Sequence, residues 1–280
     1  MNDFEKLGYL NDDFKIFHIV DTAKKDFEFH YHDFNKILIL LKGNINYTIE
    51  GKTYSLKPYD IVLVNEGEIH KAAFLNDCEY ERIIIYVLPQ FINTYRDNNY
   101  NLSSCFERAK KEHSNVLRIP SMEKSKLYQV CLELVHSLND NDFARELYQK
   151  ILFLEFMIQL NRTALSNHVN FMDSENSNAK LVEILEFINA HLTEGITIDS
   201  LAQNFYLNRF YLMHFFKAET GYTIGNYITE KRLMLAKNLV AAGNSITDAC
   251  YNSGFKNYST FSRAFKKAYH TVPKNAALID

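Results

Sequence analysis

The sequence predicts an α+β protein of two domains. A small antiparallel β-barrel or sandwich with C-terminal helices of its own comes first, followed by an all-α domain of two helix–turn–helix units joined by a linker helix. Three observations carry that prediction. Short segments rich in Ile, Val and Tyr, separated by glycine-containing turns, fill the first part of the chain. Helical periodicity takes over from about Ser121. Within the last hundred residues or so, one helix–turn–helix pattern occurs twice.

Strands are expected near Phe14–Val20, Lys36–Leu41, Ile45–Glu50, Ile61–Val64 and Arg82–Leu88. Lys42-Gly43-Asn44 and Glu50-Gly51-Lys52 mark hairpin turns, and short strands at this spacing favour a barrel or sandwich. Leu127, Cys131, Leu134 and Leu138 recur through one following helix, and Phe143, Leu147, Ile151, Leu154 and Ile158 through the next. The helix from Phe143 to Asn161 is apolar on nearly every side, so burial against its own domain and against a second subunit is expected. Ser166 to Asn178 is polar and aperiodic and reads as a linker, with a flexible-coil reach of roughly 20 Å. The expected division is therefore 1–165, 166–178 and 179–280.

In the last segment, a helix from Ala179 to His191 is apolar at Leu181, Ile184, Leu185, Ile188 and Leu192. The run TIDSLAQNFYLNRFYLMHFFKAETG comes next, then a helix from Thr223 to Ala242 with Ile228, Leu235, Ala236 and Leu239 on one face, then ITDACYNSGFKNYSTFSRAFKKAYHTVP. Leu212 and Phe261 are 49 residues apart while Ala202 and Cys250 are 48 apart, so the second turn is one residue longer. Ser245 and Asp248 frame a near capping box, Gly254 supplies a tight turn, and Asn257 caps the second helix of the unit. Phe261, Ala264, Phe265 and Ala268 form an inward stripe, and Ser259, Ser262, Arg263 and Lys266 fall outside it. A helix that reads the major groove needs this division, and two on one face would enter groove segments roughly 34 Å apart.

Charge and cysteine usage agree. Residues 178–280 hold 11 Lys and Arg against 8 Asp and Glu, a net +3, on a remainder of 20 against 26, a net −6. The start, MNDFEKLGYLNDDF, lacks the basic and apolar regions of a leader, and the longest nearby apolar run, Ile151 to Leu160, is too short to span a bilayer. Cys78, Cys105, Cys131 and Cys250 form no Cys-x-x-Cys pair, which favours reduced thiols and a cytoplasmic setting.

The C-terminal hundred residues resemble the DNA-binding domain of the AraC/XylS family of bacterial transcription regulators. Ile246, Ala249, Cys250, Gly254, Phe255, Phe261, Ser262, Arg263, Phe265, Lys266 and Pro273 fill most of that family's signature, and Arg232, Ala236 and Leu239 match its linker-helix pattern. The segment from Phe29 to Lys71 resembles the family's cupin-type sensor barrel. The resemblance implies a regulator, not an enzyme. Its implied partners are double-stranded DNA, a small effector with sugars favoured, a second copy of the chain, and RNA polymerase; no cofactor or membrane is implied. It places DNA contacts at Arg209, Phe210, Met213, His214 and Lys217 of the first recognition helix. In the second they fall at Asn257, Tyr258, Ser259, Ser262, Arg263 and Lys266. Three departures stand out. His270 replaces a glycine, Ala276 and Ala277 replace a Tyr-Arg pair, and Phe210, Met213 and His214 occupy places often held by polar base readers. The first helix is thus suited to thymine methyls and DNA shape.

His30, His32 and His70 match three of the four metal-ligand positions of enzymatic cupins. Lys36 stands where the carboxylate ligand belongs and would oppose a divalent ion, and Asp33 should point away from its neighbours. Three readings stay open: a metal site, the lining of an organic ligand's pocket, or structural hydrogen bonding. The pocket is preferred, and no metal is expected. Its candidates are His30, His32, Lys36, Tyr47, His70 and Tyr86, with Phe29 and Tyr31 as further aromatics of which alternation admits a subset. The competing functions are a regulator whose barrel only dimerises and, more remotely, a cupin metalloenzyme, which leaves the paired helix–turn–helix units unexplained.

Overall fold

A computed structural model describes residues 10, 12–22, 27–76, 79–167 and 169–274. Seven strands open the chain: β1 (Phe14–Asp21), β2 (Asn35–Lys42), β3 (Ile45–Ile49), β4 (Lys52–Leu56), β5 (Ile61–Val64), β6 (His70–Phe74) and β7 (Tyr80–Val87). Next come α1 (Pro89–Asn93), the ribbon of β8 (Arg96–Asp97) and β9 (Tyr100–Asn101), α2 (Ser104–Lys111), β10 (Val116–Arg118), α3 (Lys126–His136) and α4 (Arg145–Ala164). The strands form two facing sheets, ordered β1-β7-β2-β5-β10-β11 and β12-β4-β3-β6, where β11 is Asn170–Phe171 and β12 is Asn176–Ser177.

The six-stranded sheet is covered on both faces, so β2 shows no polar alternation. Ile37, Ile39, Ile61, Leu63, Ile83 and Ile85 pack outward on α2, α3 and α4. Their neighbours Leu38, Leu40, Val62, Val64 and Ile84 pack inward against Ile45, Tyr47 and Ile49 of the second sheet. Side chains alternate along a strand, so Lys36 shares the inward face with Leu38 and Leu40, and Arg82 and Tyr86 share it with Ile84. These inward-pointing polar residues on otherwise apolar strands gather inside the barrel.

Three expectations need correction. The polar stretch 166–178 is not a free coil: β11 pairs with β10 and β12 with β4, and Ser114 Oγ donates to the Met172 carbonyl. Backbone pairing on two sheet edges does not need apolar side chains, so periodicity could not signal it. The second long helix begins at Arg145, with Phe143 outside it and wholly exposed. Its core side is Leu152, Phe153, Phe156, Met157 and Leu160, while Leu147 and Ile151 of the expected stripe are 59% and 53% exposed. An all-round apolar helix hides which stripe faces its own core. Finally, α1 and α2 occupy a stretch for which the pattern predicts no element, because α2 buries only Cys105, Phe106 and Ala109 amid charged residues.

The rest is helical: α5 (Ala179–Ala190), α6 (Ile198–Asn204), α7 (Arg209–Thr220), α8 (Ile224–Ala241), α9 (Ile246–Asn252) and α10 (Tyr258–Tyr269). The short helices α6 and α9 have 7 residues each, and α7 and α10 have 12 each, so the internal repeat holds at the level of elements. The linker helix α8 is wrapped by its neighbours and not buried on one stripe. Leu233 and Ala236 join the core of α9 and α10, whereas Tyr227, Ile228 and Met234 join that of α5, α6 and α7. Cys105, Cys131 and Cys250 are buried free thiols, and burial pushes the first two up to about 12. Cys78, Ala276 and Ala277 lie outside the described residues.

Candidate nucleic-acid interface and sensor site

Each helix–turn–helix unit is built by local capping. Thr197 and Ser200 form a reciprocal capping box at α6, and the Ser245 side chain accepts from the Asp248 N–H at α9. Asn208 accepts from the N–H groups of Phe210 and Tyr211 to start α7, and Asn257 accepts from that of Thr260 to start α10. Leu212 and Phe216 of α7, and Phe261 and Phe265 of α10, are fully buried, which fixes the rotation of each helix. Arg209, Phe210, Met213, His214 and Lys217 are consequently exposed, as are Asn257, Tyr258, Ser259, Arg263 and Lys266, with Ser262 half-buried. Arg209 is held by Asp199 of α6 at 3.0 Å. The two outward faces differ chemically, the first aromatic and thioether, the second hydroxyl and cationic.

Gly254 has φ +93°, and a Cβ there would stand 2.7 Å from the Leu192 carbonyl oxygen and 2.9 Å from Arg232 Nε. Arg232 donates to the carbonyls of Leu192 and Glu194, tying α8 to the turn after α5. Only glycine lets the second turn approach this junction. His270, at the C-terminus of α10, adopts φ +55°, the conformation Gly221 takes at the end of α7.

The six expected lining residues of the barrel converge. Ring centroids of His30, His32 and His70 lie 5.0, 4.4 and 5.1 Å apart by pairs, and the Tyr86 ring is 5.3 Å from that of His32. Lys36 Nζ is 3.3 Å from His70 Nε2 and 5.7 Å from the centre of the Tyr47 ring. Nδ1–H of His30 donates to the Glu28 carbonyl and that of His70 to the Glu68 carbonyl, each at 2.9 Å. A carbonyl only accepts, so Nε2 carries the lone pair in both rings. His30 and His70 also exchange backbone hydrogen bonds. Burial, then the Lys36 charge, pulls His30 down to about 4 and His70 well below its usual range. Burial, then the Arg82 charge, pulls Lys36 down to about 7. One nitrogen from each imidazole lies within 4.8 Å of the others, a set transition metals accept, but Lys36 sets an amine against one of the three.

Phe29 and Tyr31 leave this group. Tyr31 turns to the helical domain, where its hydroxyl donates to Glu230 at 2.7 Å and its ring meets Tyr222 at 5.9 Å. Asp33, in the bend before β2, pairs with Lys237 of α8 at 3.3 Å. The same junction holds Tyr227 and Lys231 on Glu50 and Asn238 on Glu66. Glu230, Lys231, Lys237 and Asn238 lie on one face of α8, so one side of the linker helix docks on the barrel. Long-range pairing makes this junction, and nothing in the local sequence signals it. Sequence reasoning also missed the buried pair of Arg82 with Asp21 at 2.6 Å, for which the inward register of Arg82 beside Ile84 and Tyr86 was the available signal. A groove of about 640 Å³ opens where the domains meet, lined by Phe29, Thr48, Lys71 and Asn178 among others.

Residues 16–157 match the family model described as an AraC-like ligand binding domain, and residues 201–277 match one described as a helix-turn-helix domain. Over 251 residues the chain is 23% identical to the HTH-type transcriptional activator RhaS of Escherichia coli strain K12, covering 89% of this chain and 87% of that protein. Among solved structures it is similar to ToxT from Vibrio cholerae O395, with 15% identity, 95% of this chain and 98% of that chain covered, and a TM-score of 0.40. The C-terminal domain of the response regulator yesN from Fusobacterium nucleatum is 28% identical, covering 36% of this chain and 99% of that one, with a TM-score of 0.34. No helix among the described residues is long and apolar enough to cross a membrane.

Proposed function

This chain belongs to the AraC family of DNA-binding transcription regulators, and from that premise we propose that it is a dimeric activator whose hold on its operator is set by a small molecule in the barrel. The observation that carries the reading is the pair of equal, similarly capped helices α7 and α10, whose outward faces are free of core packing. Arg263, Lys266, Ser259, Ser262, Asn257 and Tyr258 supply hydrogen-bond donors for base edges and phosphates, while Phe210, Met213, His214, Arg209 and Lys217 supply apolar contacts to thymine methyls and further phosphate contacts. His30, His32, Lys36, Tyr47, His70 and Tyr86 form the effector site. The exposed stripe of α4 through Leu147 and Ile151 is where a second copy packs. Activation, and with it contact to RNA polymerase, is supported by the likeness to an activator. We place the protein in the cytoplasm.

Selection of bound sequences from random duplexes by the full chain tests this. The expected outcome is a site of two segments about one helical turn apart. Replacing Leu147 and Ile151 together by Asp should lower the sedimenting mass to that of a monomer and weaken binding to a tandem site. Selection of no sequence, or a monomeric wild type that binds tandem and single sites equally, would sink the proposal.

A further inference from the structure

Among the described residues, the barrel interior holds two basic side chains, Lys36 and Arg82, and one carboxylate in ion-pair contact with either of them. Arg82 and Asp21 satisfy each other, both 7% exposed. Lys36 is 6% exposed, and its polar contact is the 3.3 Å hydrogen bond to the neutral imidazole of His70. The charge that acts on it most is that of Arg82, a like charge. Buried charges are ordinarily paired, because desolvation without a counter-charge is costly. Lys36 is accordingly pulled down to about 7 and only partly charged at neutral pH, and among the described residues no carboxylate pairs with it to hold its proton. Its other polar groups have a defined sense: the backbone carbonyls hold Nδ1–H of His30 and His70, so both rings present an acceptor at Nε2, and that of His70 already takes Lys36.

We propose that Lys36 anchors the carboxylate of a small hydroxycarboxylic acid, a hydroxyl of which donates to the imidazole of His30. The inference rests on the barrel being the effector site and names the chemical class of that effector. An ammonium has three donors, so Lys36 can keep His70 while taking a carboxylate oxygen. A neutral sugar would satisfy His30 and leave Lys36 without a carboxylate. A phosphate ester brings close to two negative charges where Lys36 can balance one. A divalent metal would face the amine.

Thermal melting of the full chain tests this with matched compounds. D-glycerate and D-galacturonate carry the carboxylate, glycerol and D-galactose lack it, and glycerol 3-phosphate and galactose 1-phosphate replace it. At least one of the two carboxylates should raise the melting temperature with increasing concentration, and its neutral and phosphate counterparts should not. Lys36→Met should lose the carboxylate shift. Lys36→Gln repeats the comparison if the methionine variant does not fold. Two results overturn the proposal: no shift with either carboxylate, or a shift that survives in the Lys36 variants and so places the ligand elsewhere. Sequence selection from random duplexes on the same preparation separates the two readings. Selection of a site with no carboxylate shift removes this inference alone, whereas failure to select any site removes the regulator reading beneath it.

Discussion

The two helix–turn–helix units share lengths, caps and core stripes, yet they sit in different surroundings. The core of the first, around Leu212 and Phe216, runs on into the barrel through Tyr31 and Ile69. That of the second, around Phe261 and Phe265, is closed by α8 and by residues of its own unit and linker. The first unit shares its apolar core with the barrel, whereas the second meets the rest of the molecule through α8, through Gly254 against the turn after α5, and through Tyr269 of α10, which lies in the field of Asp33, Glu230 and Glu66. A change in the barrel thus reaches α7 through a continuous apolar core and α10 through polar and edge contacts. Two copies of one motif have become a unit docked by its core and one docked by its edges.

The largest test of that contrast is to empty each core. Phe216→Ala and Phe265→Ala should each cost about 3–5 kcal/mol. Hydrogen exchange should then separate them. Phe216→Ala is expected to expose amides around Tyr31 and Ile69 as well as in α7, while Phe265→Ala exposes α9 and α10 and leaves the barrel protected. Equal spread from both would erase the distinction.

The turns come next. Gly254→Ala pushes a Cβ toward the Leu192 carbonyl and Arg232 at a positive φ, so a loss of about 1–3 kcal/mol in denaturant unfolding is expected. At the equivalent turn of the first unit, Tyr206 has φ +55° and is 96% exposed, so Tyr206→Gly should be nearly neutral. Comparable losses at both turns would mean that the close approach at Gly254 is unimportant.

DNA readout divides the units by chemistry. Arg263→Ala should weaken specific binding by about 1–3 kcal/mol and relax preference at its own half of the site. Phe210→Ala should weaken the other half, with less change in salt dependence because no charge is removed. Footprints unaffected by both changes would remove α7 and α10 as the reading helices. The smallest expected effect is at the helix ends. His270→Gly relieves a left-handed residue but adds freedom to the unfolded chain, for a net gain of about 0.5 kcal/mol in melting experiments. A loss there would show that the imidazole makes a contact worth more than the strain.

Much of the helical domain was legible in the sequence because its determinants are local. The 49-residue spacing of Leu212 and Phe261, the caps at Asn257 and Ser245, and the glycine at 254 each act within a turn or two of chain. The barrel was legible only in part. The β2 run Lys36–Leu41 announced a strand, but apolar residues on both faces concealed which of them look inward. β4 and β6 were not resolved as separate strands, since Lys52–Leu56 and His70–Phe74 draw their order from pairing with β3. Of the lining residues, His30, His32 and His70 stood out by type and spacing, whereas Asp21, which neutralises Arg82, had no local signal at all.

By itself the sequence determined two helix–turn–helix units, with their inward and outward faces, and a β-rich domain holding three histidines and a lysine. Side-chain periodicity and capping are properties of neighbours in the chain, and they survive without knowledge of the rest. Only the tertiary structure decided that 170–177 joins the sheets, that Tyr31 and Asp33 turn to α8, and that Lys36 is buried against the imidazole of His70. Those outcomes depend on groups far apart in sequence. Glu230 lies 199 residues beyond Tyr31. Edge pairing, domain docking and charge balance are settled by which distant surfaces meet, and no local pattern encodes the partner.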